Sequence, residues 1–386
     1  MDFNFKEEQL QLADALKRWI ARDYGFEARR AIVASEQGTS DAAWAQIAEL
    51  GLTALPLPEA HGGFDGGAVD MVVVMQELGR GLVVEPYFAT VLGAEFLKRG
   101  GTHGALLDAV GGGELTLACA LGERQSRHDL RDIATRAEPD GAGWILRGEK
   151  KVVLHGAQAG VLVVSGRTGG AQRDEDGITL FAVPADAAGL RVTSYRTLDG
   201  QRAADVHLDG VRVTSADAIG TPGAGWTILD AVADYGAALL CAEAVGAMDA
   251  LFAATLDYLK TRQQFGVPIG KFQALQHRMA DMYIHLEQAR SMALLAAVKV
   301  DDELRSGDEE ERRRAVSAAK YRVGLAARFV GQQAVQLHGG MGVTDELPAA
   351  HWFKRLATIE LTLGDADHHL ARFIAQPGFM GKEETA

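Results

Sequence analysis

Apolar residues recur at two different spacings along the chain, and the spacing changes twice. Between residues 6 and 110 they follow a helical period, and Leu12, Leu16 and Trp19 fall on one helix face. From about residue 115 the pattern becomes short apolar runs separated by turn residues. After residue 225 the helical period returns and persists. The pattern therefore predicts an α+β multidomain protein with a helical, a β-rich and a second helical part.

The two helical parts are predicted to be separate domains, at residues 1–114 and 226–386. In the first, the turn-rich stretch 55–63 interrupts the helices, and a helix follows from about Val69 to Gly79. In the second, long helices joined by short connections predict an antiparallel four-helix bundle. Its predicted helices lie near 226–262, 271–304, 309–337 and 347–373.

The middle part, residues 115–225, is predicted to be an antiparallel β-barrel or sandwich. No helix of useful length separates its apolar runs, so parallel strands joined by crossover helices are not expected. Turns are predicted at 139–141, at Arg147-Gly148-Glu149 and at 174–177. The predicted strands are Leu115–Leu121, Ile133–Ala137, Trp144–Leu146, Lys151–Leu154, Val161–Ser165, Ile178–Val183 and Val206–Leu208.

Composition and charge narrow the class of partner. The chain has 386 residues, of which 47% are hydrophobic and 24% are charged, an ordinary balance for a globular protein of several domains. Its formal net charge of −13 argues against nucleic acid and against an anionic membrane as partners. An anionic cofactor would therefore need local cations or helix N-termini at its phosphate groups.

The same sequence indicates the cytoplasm as the expected compartment. Its two cysteines, Cys119 and Cys241, lie far apart in apolar surroundings and are expected to be buried reduced thiols. The N-terminal residues lack the apolar core of a signal peptide, and no run of about 18 apolar residues occurs. No membrane insertion is therefore expected.

Two segments of the last part carry the most informative motifs. The first reads Arg262-Gln263-Gln264-Phe265-Gly266 and is followed by Phe272-Gln273-Ala274-Leu275-Gln276. The second reads Gln336-Leu337-His338-Gly339-Gly340-Met341-Gly342, with Gly364-Asp365 further on. In this order the motifs resemble those of the flavin-dependent acyl-CoA dehydrogenases, over essentially the whole chain. The resemblance implies the fold class predicted above and flavin adenine dinucleotide (FAD) as cofactor.

The resemblance also implies which residues would hold FAD, although each one alone fits helix packing or a helix C-cap. Arg262 matches an arginine that meets the FAD pyrophosphate across a subunit interface, and a guanidinium can bind two phosphate oxygens at once. Gly339 and Gly340, which have no Cβ, match positions where the backbone approaches the adenosine part. Other positions matching residues around the cofactor are Phe265, Ile269, Phe272, Gln273 and Gln336.

The β-rich part departs from the family pattern near the flavin ring. Relatives have a Thr-Glu-Pro run followed by Gly-Ser-Asp, whereas this chain has Ala120-Leu121-Gly122-Glu123 followed by Arg127-His128-Asp129. Relatives also place Trp-Ile-Thr or Trp-Ile-Ser against the ring, where this chain has Val152-Val153-Leu154-His155. A tryptophan stack and a hydroxyl donor are both missing from these positions.

The glutamate that serves as catalytic base in the family is also missing from its usual position. The reaction removes a proton from Cα of an acyl thioester while a hydride leaves Cβ, so it needs a carboxylate beside the thioester. The Tyr-Glu-Gly-Thr run that carries this base in relatives is matched by Thr362-Leu363-Gly364-Asp365. The usual glutamate position is therefore Leu363, and the position used by a minority of relatives falls near Gly236.

Asp365 is the predicted catalytic residue, with a polar or structural role as the alternative. Glu360 and Asp367 are nearby candidates, and Glu360 also fits a solvated or paired charge on an amphipathic helix. The adjacent His368 and His369 do not predict a metal site, because neighbouring helical side chains point about 100° apart.

A narrower resemblance is to the small subunit of pimeloyl-CoA dehydrogenase and related bacterial enzymes made of two gene products. It rests on the stretch from Gly364 to Arg372, on Gly148-Glu149-Lys150 and on Val153-Leu154-His155-Gly156. It implies an acyl-CoA substrate, an acceptor of the electron-transfer flavoprotein type, and a dimer or tetramer, homo- or hetero-oligomeric, with a homologous chain.

Three functions are open at this point. The first is an FAD-dependent dehydrogenase that forms the 2,3-enoyl-CoA thioester together with a homologous partner. The second is a catalytically silent subunit that stabilises its partner and contributes Arg262 and the loop at Gln336. The third is an acyl-CoA oxidase.

Overall fold

The structure, a computed structural model, describes residues 5–377. Helices occupy both ends of the described chain and strands occupy its middle. The helices are α1 (Glu7–Asp23), α2 (Phe26–Ala34), α3 (Asp41–Glu49), α4 (Ala68–Gly81), α5 (Tyr87–Gly100), α6 (Gly104–Gly111), α7 (Trp226–Thr261), α8 (Gln273–Ser306), α9 (Glu309–His338), α10 (Pro348–Leu361) and α11 (Ala366–Ile374). The strands are β1 (Leu117–Ala120), β2 (Arg136–Asp140), β3 (Gly143–Leu154), β4 (Val161–Arg167), β5 (Ile178–Pro184), β6 (Leu190–Arg196), β7 (Arg202–Thr214), β8 (Ala218–Ile219), β9 (Gln263–Gln264) and β10 (Val267–Pro268).

Contacts between residues divide the chain into two compact units that do not follow the sequence order. The helical unit contains residues 5–30, 67–83 and 234–377. The sheet unit contains residues 31–66 and 84–233. The order of helices, then a β-rich part, then helices confirms the predicted fold class. The domain boundaries near residues 115 and 225 stay a prediction.

The sheet unit is built on eight strands in the order β6-β7-β3-β2-β4-β5-β8, with β1 beside β4. Most neighbouring strands are antiparallel, as the short connections predict. The exceptions involve β4, which pairs in parallel with β1 over four residues and with β2 at a single residue pair. The buried core of the sheet includes Leu146, Val164, Phe181, Val206 and Val211.

The predicted turn at Arg147-Gly148-Glu149 is wrong, because these residues lie inside β3. The register of β3 against β7 shifts between Leu146 and Arg147, where Gly210 of β7, with φ 77°, is the extra residue of a β-bulge. The strands β6 and β8 were not predicted. The edge strand β6 alternates between partly buried and exposed residues and buries none completely, which explains its weak apolar signal.

In the helical unit, α4 and α7 approach each other closely through a pair of glycines. A Cβ on Gly246 of α7 would overlap the backbone carbonyl of Gln76, and a Cβ on Gly79 of α4 would overlap the carbonyl of Glu243. Because the obstacles are backbone atoms, no side chain can move aside. Gly79, the approximate end of the predicted helix, therefore lies inside α4 and permits close packing.

The C-terminal helices differ from prediction at one place. The single helix predicted near 347–373 is wrong, since α10 ends at Leu361 and α11 begins at Ala366. By length and composition α7 could cross a membrane, but 78% of its most apolar window is buried inside the protein, as in an ordinary core helix. Both cysteines are free thiols; Cys241 is buried as predicted, whereas Cys119 is partly exposed.

Candidate functional site

The end of α7 continues into a short β-hairpin that presents Arg262 and Phe265. The backbone N–H of Arg262 donates to the carbonyl of Tyr258 (2.8 Å), and the N–H of Ile269 donates to the carbonyl of Arg262 (2.8 Å). Phe265 and Gly266 form the tip with φ of 54° and 77°, as a two-residue hairpin turn requires. The Phe265 side chain is 91% exposed, and Arg262 is exposed as well.

The hairpin leads directly into the N-terminus of α8. Phe272 is the N-cap residue of that helix and provides no side-chain hydrogen bond to the first turn. Its ring meets that of Phe265 edge to face at 6.1 Å between centroids. Gln273 is exposed and Ile269 is half-buried. This corner of the helical unit thus combines two exposed aromatic rings, a guanidinium group and a helix N-terminus, which together suit a dinucleotide phosphate.

The end of α9 carries the other predicted cofactor residues. Gly339 follows the helix with φ 62° and ψ −142°, a conformation essentially restricted to glycine. A Cβ built on Gly339 or on Gly340 would have no protein atom within 4 Å, so the backbone there faces open space. Gln336, one turn earlier, is exposed, and its carbonyl accepts a hydrogen bond from the Gly339 N–H. A ligand could therefore approach this backbone closely.

Two residues that were not singled out in the sequence join the hairpin to the glycine turn. The rings of Tyr258 on α7 and His338 on α9 stack with centroids 4.6 Å apart and planes inclined by 29°. Tyr258 lies one helical turn before Arg262, and His338 directly precedes Gly339. The structure thus brings the two predicted cofactor segments to neighbouring helix ends of one unit. The signal in the sequence was an aromatic residue four positions before Arg262 on the same helix face.

The turn between α10 and α11 contains Leu363, the position where the sequence motif led us to expect the catalytic glutamate. Leu363 has φ 54°, in the left-handed region, and its carbonyl accepts a hydrogen bond from Nε2 of His369 (2.9 Å). Nζ of Lys320, which is 2% exposed, donates to the carbonyls of Ile359, Glu360 and Gly364 at 2.8–3.0 Å. Burial lowers the pKa of Lys320 to about 8. These hydrogen bonds fix the turn, but the residue at position 363 is a leucine and has no carboxylate.

The acidic residues near this turn are engaged in structural contacts. Asp365, the predicted catalytic residue, is the N-cap of α11, and its carboxylate accepts from the N–H of His368 (2.8 Å). Glu360 is buried and its carboxylate accepts from Nη2 of Arg328 (2.9 Å) and from the N–H of Ala366 (3.2 Å). Asp367 is exposed. Glu360 thus has the paired-charge role that the sequence offered as one alternative.

The second possible base position, near Gly236 on α7, also has an engaged carboxylate beside it. Asp234 is buried, and its oxygens accept hydrogen bonds from Nε of Arg312 (2.9 Å) and from both Nη atoms of Arg372 (2.6 and 2.9 Å). Burial alone would raise the pKa of Asp234, but the two guanidinium groups outweigh it and lower the pKa. A carboxylate held ionised in this way is a poor proton acceptor.

The sheet unit uses its acidic loop for internal support. Nζ of the fully buried Lys150 donates to the carboxylate of Glu123 (2.7 Å) and to the hydroxyl of Ser165 (2.9 Å). The same carboxylate accepts from the N–H groups of Ala134 and Thr135. Desolvation opposes ionisation of Glu123, but the ammonium group of Lys150 prevails and the pKa of the carboxyl is lowered. Glu123 and Lys150 therefore stabilise the loop that joins β1 to β2.

Val152 is the residue that the sequence motif was expected to match to the tryptophan of the family. This β-branched residue has φ 54°, a strained conformation, and it is 60% exposed. It can give neither an aromatic stack nor a hydroxyl hydrogen bond to a flavin ring. The described residues therefore fit the adenosine diphosphate half of FAD in the helical unit, and the sheet unit lacks the expected ring contacts. No group of three or more His, Cys, Asp or Glu side chains suited to a metal occurs in residues 5–377.

Comparisons with known proteins point to one family. Sequence models of three acyl-CoA dehydrogenase domains match, the N-terminal domain over residues 6–104, the middle domain over 118–211 and the C-terminal domain over 223–376. The chain is 31% identical over 355 residues to the acyl-CoA dehydrogenase FadE12 of Mycobacterium tuberculosis, a match that covers 89% of each chain.

Two solved structures are similar over nearly the whole chain. The ChsE4-ChsE5 complex of Mycobacterium tuberculosis has a TM-score of 0.86 and 26% identity, over 96% of this chain and 97% of the other. A variant of the Tcur3481-Tcur3483 steroid ACAD has a TM-score of 0.84 and 31% identity, over 95% of this chain and 96% of the other. The first of these is named as a complex of two different proteins, and the second carries a paired name.

Proposed function

Because the chain belongs to the acyl-CoA dehydrogenase family, we propose that it works as the FAD-supporting subunit of an assembly in which a homologous chain supplies the catalytic base. The family assigns it to the oxidoreductases that act on acyl-CoA thioesters, with FAD as cofactor. The assembly would dehydrogenate the Cα–Cβ bond of an acyl-CoA to give the 2,3-enoyl-CoA.

The observation that carries this proposal is the state of the carboxylates around the two base positions. Within residues 5–377, Leu363 and Gly236 occupy those positions and have no acidic group. The nearby carboxylate of Asp234 is bound by two arginines, and that of Asp365 caps a helix. A base must lie beside the thioester with a pKa suited to accepting a proton. A homologous partner with an intact Tyr-Glu-Gly-Thr run would provide such a group.

The chain's own residues have defined tasks in this proposal. Arg262 would bind the pyrophosphate of FAD, and the exposed backbone at Gly339 and Gly340 would admit the adenosine part. Phe265 and Phe272 would cover the apolar surface beside it. FAD, when bound, accepts the hydride that leaves Cβ. Since these residues lie at exposed helix ends, they suit a cofactor shared with a second subunit.

The electron acceptor and the narrower branch of the family are two further parts of the proposal. We propose an electron-transfer flavoprotein as electron acceptor, since the chain resembles dehydrogenases more than oxidases. The resemblance to the pimeloyl-CoA dehydrogenase small subunit stays a prediction, as does the acyl-CoA oxidase alternative. Turnover with an artificial acceptor but not with oxygen would separate dehydrogenase from oxidase.

The first test compares the chain alone with the assembly. The chain purified alone is expected to turn over acyl-CoA poorly, and co-expression with a homologue carrying the glutamate should restore activity. Replacing that glutamate by glutamine in the partner should abolish it. Robust turnover by the isolated wild-type chain would refute the proposed division of labour.

A second candidate function is that Asp365 is itself a relocated base. Asp365→Asn tests this cleanly, because asparagine is as good an N-cap residue as aspartate and keeps the helix end intact. If the partner supplies the base, turnover of the assembly should change by less than about twofold. A loss of more than about 100-fold with FAD still bound would instead make Asp365 the base.

The third test concerns the cofactor site. Charge-assisted hydrogen bonds are worth about 1.5–3 kcal/mol, so Arg262→Ala should weaken FAD binding by roughly one to two orders of magnitude. Arg305→Ala is the matched control, because Arg305 is an exposed arginine of the same unit that pairs with Asp302 on its own helix. Unchanged FAD affinity in Arg262→Ala would overturn the assignment of this site.

A further inference from the structure

The stacked pair Tyr258 and His338 links the two segments of the proposed cofactor site, and the inference that follows rests on that site. Tyr258 is on α7, one turn before the hairpin that presents Arg262, and its carbonyl accepts the N–H of Arg262 (2.8 Å). His338 is the last residue of α9, directly before Gly339. A shift of either ring would therefore move a segment that the proposal places on FAD.

His338 is held on three sides. Its Nδ1 lies 2.8 Å from the carbonyl oxygen of Ala334, and because a carbonyl can only accept, Nδ1–H is the donor. Its ring stacks on Tyr258 at 4.6 Å. The turn after Gly339 folds back over it, so that a Cβ on Gly342 would lie 3.0 Å from the Cβ of His338 and 2.5 Å from the carbonyl of Val335. The turn that begins at Gly339 therefore packs against the fixed side chain of His338.

We propose that Tyr258 and His338 are positioning residues for FAD, whose stacked rings fix the Gly339-Gly340 turn relative to the hairpin of Arg262. Neither ring needs to touch the cofactor. Binding one dinucleotide at two separate segments costs less when the segments are already held at the right separation, which is the general benefit of preorganisation. The stack provides that preorganisation for the adenosine diphosphate half of FAD.

A second stack in the same unit provides a matched control. His285 on α8 and Phe329 on α9 lie 4.2 Å apart with planes inclined by 15°. Phe329 precedes Gly339 by ten residues of helix, about 15 Å along its axis. Removing this second stack should cost the helical unit comparable packing while leaving the glycine turn in place.

The experiment measures FAD affinity in the FAD-containing assembly by flavin fluorescence, with ADP and FMN as competing half-molecules. An aromatic pair is worth enough to change an affinity about three- to tenfold. His338→Leu and Tyr258→Leu should each raise the dissociation constants of FAD and ADP by that factor and leave FMN unchanged. The double variant should lose no more than the larger single loss, because both remove one interaction. Phe329→Leu should leave all three constants unchanged.

Conservative variants separate positioning from folding. His338→Phe keeps the ring but not the Nδ1 hydrogen bond, and it should bind FAD within about twofold of the wild type, as should Tyr258→Phe. The inference is overturned if a folded His338→Leu binds ADP normally, if His338→Phe loses as much affinity as His338→Leu, or if Phe329→Leu causes the same loss. A normal FAD affinity in Arg262→Ala would instead overturn the cofactor site itself.

Discussion

Replacing Lys320 with methionine should remove three hydrogen bonds that fix the turn between α10 and α11. It should also remove a pH dependence of the free energy of unfolding. Its ammonium has three N–H bonds, and they are directed at the carbonyls of Ile359, Glu360 and Gly364. Methionine keeps the apolar stem and much of the volume but donates no hydrogen bond. The substitution therefore leaves three carbonyl groups without this donor.

The magnitude follows from the shifted pKa of the ammonium group. Burial lowers it from 10.5 to about 8 in the folded protein. Below pH 8 both the folded and the unfolded chain hold the proton, so the contribution of Lys320 to the free energy of unfolding is constant there. Between pH 8 and 10.5 only the unfolded chain retains it, so that free energy should rise with pH by about 3 kcal/mol. At pH 7 the lost hydrogen bonds and the removed buried charge oppose each other, so the diagnostic quantity is the change with pH.

The assay is urea unfolding of wild type and Lys320→Met, followed by helical circular dichroism from pH 7.5 to 10.5. Groups common to both proteins cancel in the difference, so the advantage of wild type should grow by about 3 kcal/mol across this range. Lys299→Met is the control, because Lys299 is partly exposed and lies 3.6–3.8 Å from two carboxylates at the surface. A difference between wild type and Lys320→Met that stays constant with pH would refute the reasoning.

Three further predictions concern other buried or constrained groups. Lys150→Met should destabilise the protein by about 3–5 kcal/mol because it leaves the buried carboxylate of Glu123 without its cation, and adding Glu123→Gln, which removes the charge but keeps an acceptor for the backbone N–H groups of this loop, should recover part of the loss in urea unfolding; an additive double variant would contradict this. Asp234→Asn should cost a similar amount at pH 7, and because the pKa of this carboxyl is lowered, the wild-type advantage should disappear only as the pH falls below 3.8; a loss already complete at pH 5 would contradict it. Gly339→Ala should lower the melting temperature, because φ 62° with ψ −142° costs a residue with a side chain about 1–3 kcal/mol, and the displaced turn should reduce flavin content after gel filtration at least about tenfold; full flavin retention would contradict this.

The fold could be predicted from the sequence where local signals agree with the tertiary structure. The helical period after residue 225 predicted α7, α8 and α9 to within a few residues. The prediction failed at Gly148, where glycine does not form a turn but permits close packing, since a Cβ there would lie 2.8 Å from Cα of Thr135. It failed again at Thr362–Asp365, where Gly364 with φ 107° and the N-cap Asp365 separate two helices, and where the distant ammonium of Lys320 binds the Gly364 carbonyl.

The sequence motifs of the candidate site could be predicted, but the distant side chains that bind and fix the residues around it could not. Arg262 and Gly339 stood out as types suited to phosphate and to close approach. The arginines that engage Asp234 lie 78 and 138 residues further along the chain, and no pattern in a single sequence connects them. The engagement of this carboxylate, which bears directly on the missing base, therefore required the structure.

The contact between Asp301 and α4 has a consequence for biosynthesis. The carboxylate of Asp301 accepts from the first-turn N–H groups of Ala68 (2.6 Å) and Val69 (3.0 Å), yet it follows Ala68 by 233 residues. At about 5–20 residues per second, the ribosome makes α4 roughly ten to fifty seconds before the group that caps it. The sheet unit ends at residue 233 and is complete earlier. A ribosome stalled near residue 280, where residue 233 has left the exit tunnel and Asp301 has not been made, should therefore carry a protease-resistant sheet unit while the first turn of α4 still lacks its cap.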